Sequence, residues 1–175
     1  MRHTAIVVTA SDGAAAGARA DESGAAVAGI LDEAGVEVLR RETVPDERGQ
    51  IAALLRRLAD GHEAGLIAVT GGTGLGPRDL TPEATRDVLD REAPGLAEAM
   101  RAAGRLSTPM ADLSRGVCGV RGATLIVNLP GSPRGASESI RALVPILGHA
   151  LDLVAGHTRS HPAGHGEDPP AGPHA

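Results

Sequence analysis

Apolar positions along the chain fall into short, nearly unbroken runs separated by longer stretches where they recur every three or four residues. Thr4 to Ala10 is β-branched almost throughout, which predicts a strand buried on both faces of a parallel sheet. Residues Ser23 to Ala34 predict a helix stopped by Gly35, and Val36 to Thr43 a second strand whose alternation gives it one wetter face. Ile51, Leu54, Leu55 and Leu58 share one face of a predicted helix over Glu47 to Asp60. Leu66 to Thr70 is the third strand, followed by predicted helices over Thr81 to Arg91 and Pro94 to Leu106. Ser114 to Val120 and Ala123 to Leu129 read as an antiparallel hairpin turning at Arg121-Gly122. A last helix spans Gly135 to Val154, with Pro145 predicting a kink. Strands alternating with helices in this way predict an α/β fold: a three-layer αβα sandwich on a mostly parallel sheet with a short antiparallel hairpin.

Periodicity fails where the chemistry is densest. After Val69 and Thr70 come Gly71, Gly72, Gly74 and Gly76, then Arg78-Asp79 and the helix start Thr81-Pro82-Glu83, with Thr81 the expected cap. Glycines at this density let backbone N–H groups approach an anionic ligand, and a helix N-terminus adds a favourable dipole. A plain strand-to-helix connection needs neither so many glycines nor the charged pair. The usual phosphate loops do not fit: the chain has no lysine for a Walker loop, and Pro77 stands where a dinucleotide fingerprint needs its last glycine.

In an open parallel sheet, ligands collect beyond the carboxyl ends of the strands. The predicted topology puts Ser11 and Asp12 at the end of the first strand, Asp46 after the second, the glycine loop and Asp79 after the third, and Asn128 to Ser132 at the last. Three carboxylates (Asp12, Asp46, Asp79) beside a phosphate-seeking loop point to Mg²⁺, which binds one or two carboxylates together with phosphate oxygens and water. Turn and capping chemistry is the other explanation of Asp12 and Asp46. Arg78 either adds charge to this cluster or makes a structural bridge, and the sequence does not choose. Pro130, Gly131 and Ser132 open the last helix and offer a second set of N–H groups. Two anion sites on one sheet edge suit a pair of phosphorylated substrates.

Composition narrows the ligands. With no Phe, Tyr or Trp, the core is aliphatic and no heterocycle can stack on an aromatic side chain. A net charge of −5 and dispersed arginines exclude the basic stripe of a nucleic-acid binder. No apolar run is long enough to span a membrane and no leader pattern opens the chain, so the expected setting is cytoplasmic. The single cysteine, Cys118, reads as a small buried hydrophobe. Residues 1–155 are expected to form one domain, and 156–175, rich in Pro, Gly and His, a disordered tail. His157, His161 and His165 recur every four residues, but Pro162 and the glycines deny them a helix, so a solvated tail is expected there.

From about Thr4 to Leu153 the chain resembles the molybdopterin-binding family, which includes the MogA/MoaB molybdopterin adenylyltransferases and the G domain of gephyrin. The resemblance rests on Thr9-Ala10-Ser11-Asp12 with Gly17, Asp21, Ser23 and Gly24; on Val44-Pro45-Asp46-Glu47; on the glycine block; on Leu113-Ser114-Arg115-Gly116-Val117; and on Asn128-Leu129-Pro130-Gly131-Ser132-Pro133. It implies transfer of AMP from MgATP to the terminal phosphate of molybdopterin, with release of pyrophosphate, in molybdenum cofactor biosynthesis. It also implies that Asp46 and Asp79 are the critical carboxylates and that Gly71, Gly72, Thr73 and Gly74 hold ligand. Ser114 and Arg115, surface residues by pattern alone, become contacts to the second substrate. A homotrimer, and other molybdenum cofactor biosynthesis proteins as partners, are further implications. The alternative within the same fold is a pterin- or nucleotide-binding or scaffold protein without turnover.

Overall fold

The computed structural model describes residues 3–157, and most of the expected tail, from residue 158 onward, lies outside them. Six strands form one sheet in the order β2-β1-β3-β6-β5-β4. Strands β1 (Thr4–Ala10), β2 (Glu37–Val44), β3 (Leu66–Thr70) and β6 (Thr124–Leu129) run parallel, while β5 (Cys118–Arg121) is antiparallel to β6 and to the two-residue β4 (Arg91–Glu92). The hairpin turns at Arg121-Gly122 as expected.

The central strands are buried on both faces because each face has its own helical layer. Ala5, Val7, Leu66, Ala68, Leu125 and Val127 face α2 (Glu22–Glu33), α5 (Pro94–Arg105) and α6 (Pro133–Val154). Ile6, Val8, Ile67, Val69 and Ile126 face α3 (Arg48–Asp60) and α4 (Thr81–Arg86). The period-two alternation of a strand thus assigns every second aliphatic residue to a different core. Strand β2 sits at the edge, and its alternating exposure matches the wetter face expected of it.

Three local readings change. The helix expected over Thr81 to Arg91 stops at Arg86, because the chain must reach β4 and pair with β5 through Arg91 and Glu92. The strand expected from Ser114 begins only at Cys118, since Arg115 to Val117 bend toward the glycine loop, with the Arg115 N–H donating to the Thr73 carbonyl at 2.8 Å. Two short pieces were not legible in the pattern: the single turn α1 (Asp12–Ala15), capped by Ser11, and a 3₁₀ turn at Pro109–Leu113, capped by Thr108. Helix α6 continues through Pro145.

Strand β1 leads to β2 on one side, and β2 returns past β1 to β3 on the other, so the crevice at the carboxyl ends of β1 and β3 is a topological switch point. Ser11, Gly71 and Gly72 follow those two strands.

Candidate active site at the strand ends

The first two glycines of the loop are packed too tightly for any other residue. Gly71 has φ +94°, and a Cβ there would overlap the Ala10 carbonyl oxygen of the neighbouring strand. Gly72 has φ +61°, and its Cβ would overlap Thr81 Oγ1. Both conformations belong to glycine on backbone grounds alone. Thr81 is the first helical residue of α4 and does not cap it. Its hydroxyl is buried and has no hydrogen-bond partner among the described residues, while its N–H donates to the Gly72 carbonyl at 3.1 Å.

Two cavities of about 380 Å³ each meet at this loop. The first, polar, lies over the ends of β1 and β3 and is lined by Ser11, Arg19, Ser23, Asp46, Gly71 and Thr9 among others. The second lies between α5, the 3₁₀ turn and the start of α6, with Thr73, Gly74, Met100, Arg101, Leu113 and Ser114 in its walls. Gly72, Asp79, Gly131 and Ser132 line both. Pro130 and Asn128 border the second cavity, and the Ser132 hydroxyl caps α6 by accepting from the Gly135 N–H at 3.2 Å.

The carboxylates do different work. Asp12 and Asp46 lock their turns together reciprocally: the Asp12 N–H donates to Asp46 Oδ2 and the Asp46 N–H to Asp12 Oδ1, each at 3.0 Å. Arg78 closes on Asp12 Oδ2 at 2.6 Å, an exposed pair, so the structure takes the bridging alternative for Arg78. Neither Asp12 nor Arg78 lines either cavity. Asp79 accepts the Gly76 N–H at 2.7 Å through Oδ2. Asp46 and Asp79 each retain one carboxylate oxygen with no hydrogen-bond partner among the described residues. Burial raises the Asp46 carboxyl above its ordinary value, and the charges of Asp12 and Asp79 push the same way, against the Asp12 N–H and Arg78.

Arg115, expected to touch substrate, borders neither of these cavities but a third, of about 400 Å³, together with Arg86, Arg101 and Ser114. Its guanidinium also spans the glycine loop. Nε donates to the Gly74 carbonyl at 2.7 Å, Nη2 to the Asp79 carbonyl at 2.5 Å, and Nη1 to Glu83 on α4. The planar fork ties both ends of the loop to the helix that follows, and the hydrogen bond from Arg115, helped by its charge, holds the Glu83 carboxyl below its ordinary value. The Asn128 side chain is likewise committed inward: its Nδ2 donates to Thr85 Oγ1 at 2.9 Å and its Oδ1 accepts from the Val117 N–H. Sequence reasoning did not find Arg19, Arg101 or Met100 as cavity walls. Single residues on helices and loops carried no local pattern to mark them. Burial pushes the Cys118 thiol up to about 12, in keeping with an inert core position.

An αβα domain with a glycine-walled double cavity at its switch point is a binding domain for phosphorylated small molecules. Comparison with known proteins carries this further. Residues 6–149 match the family described as "Probable molybdopterin binding domain", and the chain belongs to that family. It is 39% identical over 150 residues to a molybdopterin adenylyltransferase of Helicobacter pylori strain J99, covering 85% of each chain. Among solved structures, the molybdopterin biosynthesis enzyme MoaB of Thermus thermophilus superposes with a TM-score of 0.83 at 54% identity, over 88% of this chain and 97% of that one. The molybdopterin biosynthesis Mog protein of Mycobacterium ulcerans superposes with a TM-score of 0.82 at 42% identity, covering 89% and 99%. Among the described residues, no helix is long and apolar enough to cross a membrane.

Proposed function

We propose that this protein transfers AMP from ATP to the terminal phosphate of molybdopterin in molybdenum cofactor biosynthesis, as a cytoplasmic homotrimer that uses Mg²⁺. The observation that carries the reading is the shared wall. Two cavities of equal size meet at Gly72, Gly131, Ser132 and Asp79, so two phosphorylated substrates can bring their phosphates together there while their other parts stay apart. The relatives named for this activity, and the family match, support the choice of substrates. Leu106 and Met110, 91% and 61% exposed, offer apolar surface that an assembly of copies would cover.

A phosphate oxygen of molybdopterin attacks the α-phosphorus of ATP. The new O–P bond forms as the bond to the bridging oxygen of the β-phosphate breaks, and pyrophosphate leaves. Little proton transfer is required; alignment and charge neutralisation lower the barrier. The glycine-loop N–H groups and those opening α6 hold the phosphoryl oxygens, and the close packing of Gly71 against β1 fixes their direction.

The residues present fit a magnesium ion. Asp46 and Asp79 both border the polar cavity, and each has one carboxylate oxygen with no hydrogen-bond partner among the described residues. Magnesium is commonly held by one or two carboxylates and completes its shell with substrate phosphates and water. When bound, the ion would supply positive charge to the phosphates being joined and separated.

The test is single-turnover pyrophosphate release from MgATP and molybdopterin with enzyme in excess. Release that needs both substrates supports the reading. Tight binding of both without release would make the protein a binding member of the family.

A further inference from the structure

Four side chains under the polar cavity form a continuous hydrogen-bonded line. Thr9 Oγ1 donates to Asp21 Oδ1 at 2.8 Å, Thr70 Oγ1 donates to Thr9 Oγ1 at 3.1 Å, and Ser23 Oγ lies 3.1 Å from Thr70 Oγ1. All three hydroxyl residues are buried, and Thr9 and Ser23 line the cavity. Proton counting fixes the direction. Asp21 also accepts the Gly24 N–H at 2.8 Å and pairs with Arg41 at 3.3 Å, so it is an acceptor throughout. A hydroxyl has one proton. The Thr9 proton goes to Asp21, so Thr9 can only accept from Thr70; the Thr70 proton is then used, and Ser23 must donate to Thr70. The line runs Ser23 to Thr70 to Thr9 to Asp21.

We infer that Ser23 is a specificity-determining acceptor: its proton is committed inward, so it presents only lone pairs to the polar cavity and selects a hydrogen-bond donor on the substrate. A phosphoryl oxygen is an acceptor and is repelled from this position. The inner end of the cavity therefore takes a neutral donor, either an amino group of a heterocycle or a sugar hydroxyl, and the substrate's phosphates point toward the Gly72–Asp79 wall. The acidic surroundings agree, since Asp21, Glu22, Asp46 and Asp79 line this cavity and Arg19 is its one arginine among the described residues. The inference rests on the proposed function for the identity of the substrates, whereas the direction of the line does not.

The experiment measures dissociation constants by calorimetry for donor-bearing probes and their donor-lacking partners: AMP against purine riboside monophosphate, AMP against 2′,3′-dideoxy-AMP, and pterin against its analogue without the 2-amino group. The wild-type chain should prefer the donor-bearing member of one pair by about tenfold, as a site built around a hydrogen bond does. Which pair shows it separates nucleobase, ribose and pterin as the source. Ser23→Ala should erase that preference while leaving the affinity for inorganic pyrophosphate unchanged. Thr70→Val removes the inward acceptor, frees the Ser23 proton to turn outward, and should shrink the preference several-fold in a folded protein. Equal ratios in wild type and Ser23→Ala for all three pairs would overturn the inference, and so would a loss of pyrophosphate affinity in Ser23→Ala. If the wild-type chain binds neither AMP nor pterin, the proposed function falls and takes the inference with it.

Discussion

The two cavities have the same volume and share a wall, yet they are built by different means. The polar one is built on strand ends and the turns that leave them, with Ser11, Asp46, Gly71, Gly72 and Gly131 one or two positions beyond a strand and the start of α2 and Asp79 closing it. The other is closed by α5, the 3₁₀ turn and α6, which come from separate parts of the chain. The comparison teaches that positional precision comes from the sheet. Parallel register fixes Thr9 opposite Thr70 and Thr70 opposite Leu129, and thereby holds the three turns that follow in mutual contact. The helical wall has no such ruler, and its shape depends on how aliphatic side chains pack.

If the sheet sets the polar side, the most damaging change is the one that separates two strand ends. Gly71→Ala forces a Cβ against the Ala10 carbonyl at φ +94°, and should destabilise the fold by about 3 kcal/mol or more. Gly122→Ala, at φ +54° with nothing within 4 Å, should cost about 1 kcal/mol, the backbone penalty alone. Denaturant unfolding of both variants measures the difference. Similar losses would mean that strand-end packing is not what holds the loop.

Next in size are the carboxylates at the junction. Asp79→Asn should slow single-turnover transfer by roughly a hundredfold, about 2.7 kcal/mol of transition-state stabilisation. Asp46→Asn should slow it less, because Asp79 borders both cavities and Asp46 only the polar one. A larger effect at Asp46 would place the reacting phosphates inside the polar cavity rather than at the shared wall.

The two arginines beside the loop separate bracing from surface pairing. Arg115→Lys cannot span the Gly74 and Asp79 carbonyls and should lower stability by about 1–3 kcal/mol, with transfer impaired at saturating substrate. Arg78→Ala breaks an exposed pair and should stay within about 0.5 kcal/mol of wild type. Thermal or chemical unfolding with a transfer assay distinguishes them.

The smallest effect is electrostatic. The Asp46 carboxyl is raised in the folded state, so between its unfolded and folded values the native protein binds more protons than the unfolded chain, and stability falls as pH rises. Its ionisation is therefore a cost that is fully present at neutral pH. Asp46→Asn should be slightly more stable than wild type at neutral pH, and the gain should vanish below the ordinary carboxylate range. Equal stability across that range would show that the site neutralises Asp46 without a bound ion.

The order of elements, the parallel core and the hairpin were legible because β-branched runs and helical spacing are local signals. The placement of Ser11, Asp46, Asp79 and the glycine loop at one sheet edge followed from topology alone. What the pattern did not carry were the partners of side chains that meet residues distant in sequence. Arg115 borders a cavity and also donates to Gly74, Asp79 and Glu83. Asn128 borders the second cavity and also reaches Thr85.

Residue type and spacing were enough to fix which segments become strands, that the sheet is buried on both sides, and that phosphate-seeking turns converge at the carboxyl ends. These depend on residue type and spacing within a few turns of chain. Tertiary contacts set the rest: that the site is divided in two, that Asp12 and Arg78 are engaged with each other, that Arg115 ties the glycine loop to α4, and that Ser23 has its proton committed through Thr70 and Thr9 to Asp21. Each of these depends on which donor meets which acceptor across the fold. A hydroxyl or guanidinium has several possible partners in the sequence, and packing leaves it with one set.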